Sequence, residues 1–282
     1  MSDFLHALVG GWYAQPVPLI AAAAGVLLYD RGARRLAVVA PTRAPSRTEK
    51  GCLAAGVAII LIALLSPLDD LALRLQWAHM VQHVLLLVVA PPLVVLARPW
   101  EIATAGFGAR LRRVLTAPQR ALTSPGRHVM AAAAAVTAFV SVMWLWHIPA
   151  LYNLTLRDDA VHNLEHTAFL SVGLFFWTVA MPRQARGASS LGLIGRAVVA
   201  FGGLLGSWAL AVFIGYAPTV LYAYSGSGGL TAISDQQLAA GVMWVPASIP
   251  FVVVIVWIMA RWFENDARLA AAEAQRRAEA VA

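Results

Sequence analysis

The stretch "AHMVQHVLLLVVAPPLVVLARP", residues 78–99, decides the fold. From Ala78 to Ala97 it contains no Asp, Glu, Lys or Arg, and about 20 helical residues at 1.5 Å each cross the ~30 Å hydrocarbon core of a bilayer. The segment therefore reads as a membrane span. It also carries two imidazoles, His79 and His83, close to one end. Ionisable groups at that depth are costly unless they face the bundle interior, a water-filled cavity or one another.

The rest of the 282-residue chain belongs to the same solvent. It is 60% hydrophobic and 12% charged, with a mean hydropathy of +0.70; an ordinary soluble domain carries about 25% charged residues. Apolar windows of span length predict seven helices, near 9–29, 51–67, 75–97, 128–149, 161–181, 197–217 and 241–260. Pro16 and Pro18 interrupt the first. The N-terminus has no basic residue before its apolar run and no small-residue cleavage signature, so no removable signal peptide is expected.

Basic residues set the orientation. Nineteen of the 21 Lys and Arg residues fall in the first, third and fifth loops and the tail, leaving Arg74 and Arg157 on the other side. The positive-inside rule then places the N-terminus outside and the C-terminus in the cytoplasm. The expected architecture is an all-α integral membrane protein, a bundle of seven transmembrane helices over residues 1–260, followed by a cytoplasmic helical tail over 261–282. The net charge of +7 reflects this topology and attraction to anionic lipid, and no nucleic-acid surface is expected.

Cys52 is the only cysteine, which excludes a disulfide and a thiolate pair for metal. Any metal site has to use His, Met, carboxylates and water. On the expected topology His6, His79, His83, His147, His162 and His166 lie on the outer side, and only His128 is cytoplasmic. His79 and His83, like His162 and His166, are i, i+4 pairs, which share a helix face. Both pairs are expected to look inward at one level, with His147 at matching depth.

Each group has a plain alternative. A membrane histidine can be bonded to a neighbouring carbonyl or hydroxyl, and methionine ordinarily fills helix interfaces. Met80, Met143 and Met243 are candidate soft ligands, while Glu165, Asp69 and Asp235 are candidates to hold a ligand imidazole by its second nitrogen. The tryptophans near the outer span ends, Trp12, Trp77, Trp144, Trp146 and Trp244, also read as an interfacial belt. Outer carboxylates exceed outer arginines, which favours cations.

The spelling "HNLEH", residues 162–166, matches the His-x-x-Glu-His motif of inverzincin zinc hydrolases, in which Glu165 would serve as general base. That reading leaves His79 and His83 unassigned unless the site is binuclear. Two stacked haems are disfavoured because their ligands on one helix need roughly 13 residues between them. There is also a short internal repeat. "SPLDDLALRLQWAHMVQH" and "HIPALYNLTLRDDAVHNLEH" both run from a span end through Pro and Asp-Asp to His-x-x-x-His.

"SPLDDLA", the 78–99 stretch, "MWLWHIPALYNLTLRDDAVHNLEHTAFLSVGLFFW" and "SDQQLAAGVMWVPAS" resemble, in order, the signatures of the CtaG-type (caa-type) cytochrome c oxidase assembly factor family. The resemblance covers spans two to seven. It implies a multi-pass protein of the bacterial cytoplasmic membrane that helps to build a haem-copper oxidase at the copper-insertion step, with oxidase subunits or a periplasmic copper chaperone as partners. Together with the residues it points to a copper site of His79, His83, His147, His162 and His166, with zinc as the alternative metal. A non-metal scaffold remains a further alternative.

Overall fold

The computed structural model describes residues 15–123, 126–181, 191–226 and 229–281. The described residues contain helices and turns and no strand. Five helices are long and apolar enough to cross a membrane: Arg47–Leu65, Gln76–Leu96, His128–Trp146, Leu193–Gly215 and the last, largely helical stretch, Ala232–Ala280. Two more long helices, Pro16–Val39 and Asp159–Ala180, carry more polar residues.

In chain order, α1 is Pro16–Val39. The prolines that interrupt the first apolar window sit in its opening turn, where a missing N–H has no partner to lose. The helix accordingly starts later than expected and runs on through Asp30 and Arg34, which form an i, i+4 ion pair. Residues 9–14 of that expected span, with His6 and Trp12, lie outside the described residues. Helix α2, Arg47–Leu65, opens on a capping box in which Ser46 and Glu49 satisfy each other's backbone N–H groups.

A short helix α3, Leu68–Ala72, leads to α4, Gln76–Leu96. The corner after α4 is turned by Arg98 in the left-handed region, φ 51°. Its guanidinium pairs with Glu49 at 2.6 Å and Glu101 at 3.3 Å. Helices α5, Pro99–Ala105, and α6, Ala109–Thr123, follow. Gly32 lets α1 press onto α5: a Cβ there would lie 1.8 Å from the Ile102 carbonyl oxygen.

Helix α7, His128–Trp146, short α8, Pro149–Thr155, and α9, Asp159–Ala180, repeat the order long, short, long seen in α2, α3 and α4. The two repeated sequences thus occupy equivalent elements. Helix α10 is Leu193–Gly215. The seventh expected span is divided into α11, Ala232–Trp244, and α12, Ser248–Val281. Pro246 has no N–H for the Val242 carbonyl, which accepts instead from Ala247 at 3.2 Å. Helix α12 then continues through residues 261–280, almost all of them exposed.

Helix α4 is the axis of the bundle, with α2, α9 and α11 packed around it. Its span is 72% buried, against 22% for α2. Midway it loosens into a π turn over Leu85–Val89. The Leu87 carbonyl would accept from residue 91 in an α register or 92 in a π register, and both are proline. Trp177 Nε1 of α9 supplies the missing proton at 3.1 Å. Gly173, one turn earlier, allows the approach, since a Cβ there would lie 2.7 Å from the same oxygen.

Around this axis the polarity is inside out relative to a soluble protein. Large apolar side chains such as Ile20, Leu27, Phe213, Val253 and Val256 face outward, whereas His79, Gln82, Glu165, Asp235 and Gln236 are buried. That is the distribution of a membrane bundle enclosing a polar site.

Candidate metal centre

The polar site lies where the first two turns of α4 meet those of α9. Each helix needs its opening N–H groups satisfied, and the two manage it differently. Asp158 caps α9 locally, accepting from Ala160 N at 2.8 Å and Val161 N at 3.2 Å. Helix α4 has no side-chain cap of its own. Asp235 of α11 takes that place, accepting from Gln76 N at 2.8 Å and Trp77 N at 3.0 Å. Asp235, expected to support an imidazole, is therefore bonded to the helix that carries the imidazoles.

The i, i+4 spacing puts each histidine pair on one buried face, with ring centroids 4.2 Å apart in both pairs. The pairs face each other. His79 lies 5.1 Å from His162 and His83 lies 6.0 Å from His166. Among the described residues two groups are tight enough to hold an ion, with one ligand atom per residue and all such atoms within 4.8 Å of one another. One is His79, His83 and Glu165; the other is Asp69, His162 and His166. Two of the three carboxylates expected to support ligands, Glu165 and Asp69, thus stand as candidate ligands.

Hydrogen-bond chemistry fixes where lone pairs point. The Tyr224 hydroxyl donates to the Ala72 carbonyl at 2.8 Å, so its single proton is used and it accepts from His79 Nδ1 at 2.9 Å. His79 Nε2 is then unprotonated in the neutral ring, yet it faces Glu165 Oε2 at 3.4 Å. His83 Nε2 faces the same oxygen at 3.5 Å. Further polar capacity is unspent: His83 Nδ1 and Nε2, His162 Nε2, His166 Nε2 and Glu165 Oε1 are buried with no hydrogen-bond partner among the described residues. Buried polar atoms are normally paired, so this concentration of unpartnered atoms, with a lone pair on each neutral imidazole and on the carboxylate, fits a cation.

The surroundings are aromatic and amide. Tyr152 stacks on Tyr222 at 4.0 Å and its hydroxyl meets that of Tyr224 at 3.4 Å. Burial pushes the Tyr152 and Tyr224 hydroxyls well above their ordinary range, so both stay protonated. Gln236 pins the loop that carries Tyr222 and Tyr224, accepting from Leu221 N at 2.7 Å and donating to the Ile214 and Thr219 carbonyls at 3.2 Å. Asp69 accepts from Gln82 Nε2 at 2.7 Å, and burial pushes its carboxyl above the usual range against that hydrogen bond.

The remaining expected residues divide. His147 is buried beside the site, 6.2 Å from His83, with Nδ1 bonded to the Met143 carbonyl at 2.7 Å and Nε2 3.4 Å from Met80 Sδ. Met143 meets His147 through its backbone. Met243 is buried in the main hydrophobic core. Trp146 is also core, 6% exposed, whereas Trp144 and Trp244 are exposed; Trp244 ends α11 on the side away from the Asp235 cap, so it does not share a belt with the tryptophans near the histidines.

A family model described as the cytochrome c oxidase caa3 assembly factor (Caa3_CtaG) matches residues 27–265. An uncharacterized protein of Mycobacterium leprae is 26% identical over 206 residues, which is 69% of this chain and 31% of that protein. Uncharacterized proteins of Mycobacterium bovis and Mycobacterium tuberculosis are 25% identical over 209 residues with the same coverage. The chain thus spans about a third of the length of these relatives. No solved structure matches it.

Proposed function

The chain belongs to the cytochrome c oxidase caa3 assembly factor family, and from that premise we propose that it binds copper at the two facing histidine pairs for delivery to the oxidase. The observation that supports this reading is the set of buried, unpartnered nitrogen and oxygen atoms on His83, His162, His166 and Glu165. Imidazole suits copper and zinc alike; an oxidase assembly role favours copper. The two groups, His79, His83 and Glu165 on one side and Asp69, His162 and His166 on the other, form adjacent positions in one polyhistidine site.

This reading includes seven spans in the bacterial cytoplasmic membrane, with α1 and α9 as the sixth and seventh, the N-terminus outside and the tail over 261–282 in the cytoplasm. The histidines then open toward the outer side, where an oxidase subunit or a periplasmic copper chaperone would exchange the ion. Glu165 favours carriage over hydrolysis. Its Oε2 is directed at His79 and His83 across the helix interface, rather than serving as a free base beside His162 and His166.

Copper content and assembled oxidase, measured in the wild type, His83→Ala, His166→Ala and the double variant, test the reading. Two ions per chain, about one in each single variant and none in the double are expected, with maturation falling in parallel. Wild-type maturation in the metal-free double variant would show that the protein acts as a scaffold.

A further inference from the structure

One contact beside the histidine pairs is chemically unbalanced. His147 Nδ1 stands 2.7 Å from the Met143 carbonyl oxygen. A carbonyl only accepts, so Nδ1 carries the ring proton and Nε2 of the neutral imidazole presents a lone pair. What Nε2 faces is the thioether of Met80, Sδ at 3.4 Å, which is also a lone-pair atom. Both side chains are buried, at 6% and 1% exposure. Two lone-pair atoms in contact away from water are an arrangement that an electrophile between them would satisfy.

The separation suits a metal ion. Nitrogen and sulfur ligands at about 2.0 and 2.3 Å from one four-coordinate ion stand roughly 3.5 Å apart. His83 adjoins this pair, its ring 6.2 Å from that of His147, and both its nitrogens lack a hydrogen-bond partner among the described residues. A third nitrogen is therefore at hand.

We propose that Met80 Sδ and His147 Nε2 form a soft position selective for Cu(I), next to the two histidine-carboxylate positions and linked to them by His83. The proposal rests on the copper reading and adds a division of labour to it. Thioether sulfur is a ligand for Cu(I), whereas carboxylate oxygen suits harder ions. The ion would pass between positions by exchange of one neutral ligand for another at His83, with no electron transferred.

X-ray absorption of the purified, Cu(I)-loaded protein tests this. The wild type should show a copper–sulfur shell in addition to nitrogen scattering. Met80→Leu, which keeps the volume and deletes the sulfur, should abolish that shell and weaken Cu(I) at least about tenfold, since even a contact supporting a ligand is worth that much. Zn(II) affinity, measured on the same preparation, should not move, which separates loss of a ligand from loss of fold. Met80→Leu and His147→Ala should be non-additive for Cu(I), because residues sharing one ion couple. Copper bound with only nitrogen and oxygen neighbours, or equal losses of Cu(I) and Zn(II) in Met80→Leu, would overturn the soft position and leave the copper reading standing. A wild type that binds no copper would overturn both.

Discussion

His79 owes its tautomer to a hydroxyl 145 residues further along the chain, and the dependence can be measured. Tyr224→Phe removes the acceptor for His79 Nδ1–H and the donor to the Ala72 carbonyl while keeping the ring. Loss of such an orienting partner costs about 10–100-fold in metal affinity. Competition against a chelator should show a drop of that size, accompanied by a loss of about 1–3 kcal/mol of stability because the buried Ala72 carbonyl loses its donor; an unchanged affinity would mean that other contacts hold His79. The histidines themselves are legible in the sequence, because two imidazoles at i, i+4 in an otherwise apolar helix share one face and have to be turned away from lipid. Tyr224 and Tyr152 are not. They sit in connections between the long helices, where no periodicity signals burial, and long-range hydrogen bonds of Gln236, Asn153 and the tyrosine hydroxyls bring the Tyr224 loop inward.

At the scale of elements, α4 and α9 are joined at the Leu87 carbonyl. Trp177→Phe leaves that oxygen buried and unpaired, at about 1–3 kcal/mol, which a chemical or thermal unfolding series in detergent should register. Gly173→Ala has a different signature. Its Cβ meets backbone and Pro91 at 2.7 and 2.9 Å, so α9 has to move from α4 and carry His162 and His166 with it. Stability should fall by about 1–3 kcal/mol, as for other overpacked contacts, and metal affinity should fall together with it. Retained affinity in Gly173→Ala would show that the two pairs need not keep their spacing. Helix positions are largely visible in the hydropathy pattern, but two boundaries are not. Prolines 16 and 18 read as an interruption and prove to be a start, while Pro246 divides what reads as one span. Proline reports that an N–H is missing; which neighbour makes up for it depends on packing.

At the scale of the whole molecule, the distribution of basic residues can be tested through the single cysteine. In a Cys52→Ser background, Ser225→Cys and Ala280→Cys lie at exposed positions at opposite ends of the bundle. A membrane-impermeant maleimide added to intact cells should label the first and reach the second only after permeabilisation; the reverse pattern would invert the orientation. The exposed tail has no part in the site, so truncation after Asn265 should leave copper stoichiometry unchanged.

The cap that Asp235 places on α4 also sets an order of events during synthesis. The acceptor for Gln76 N–H is 159 residues downstream, which at 5–20 residues per second is roughly 8–30 s of translation. Until α11 is inserted, the first histidine pair stands on an uncapped helix end, and Tyr224 has only just emerged to orient His79. On the copper reading, the nascent chain is therefore a poor ligand for an ion met during insertion, and loading would follow completion of the fold. A chain released before Ala232 should reach the membrane and carry all of its histidines, yet hold no metal.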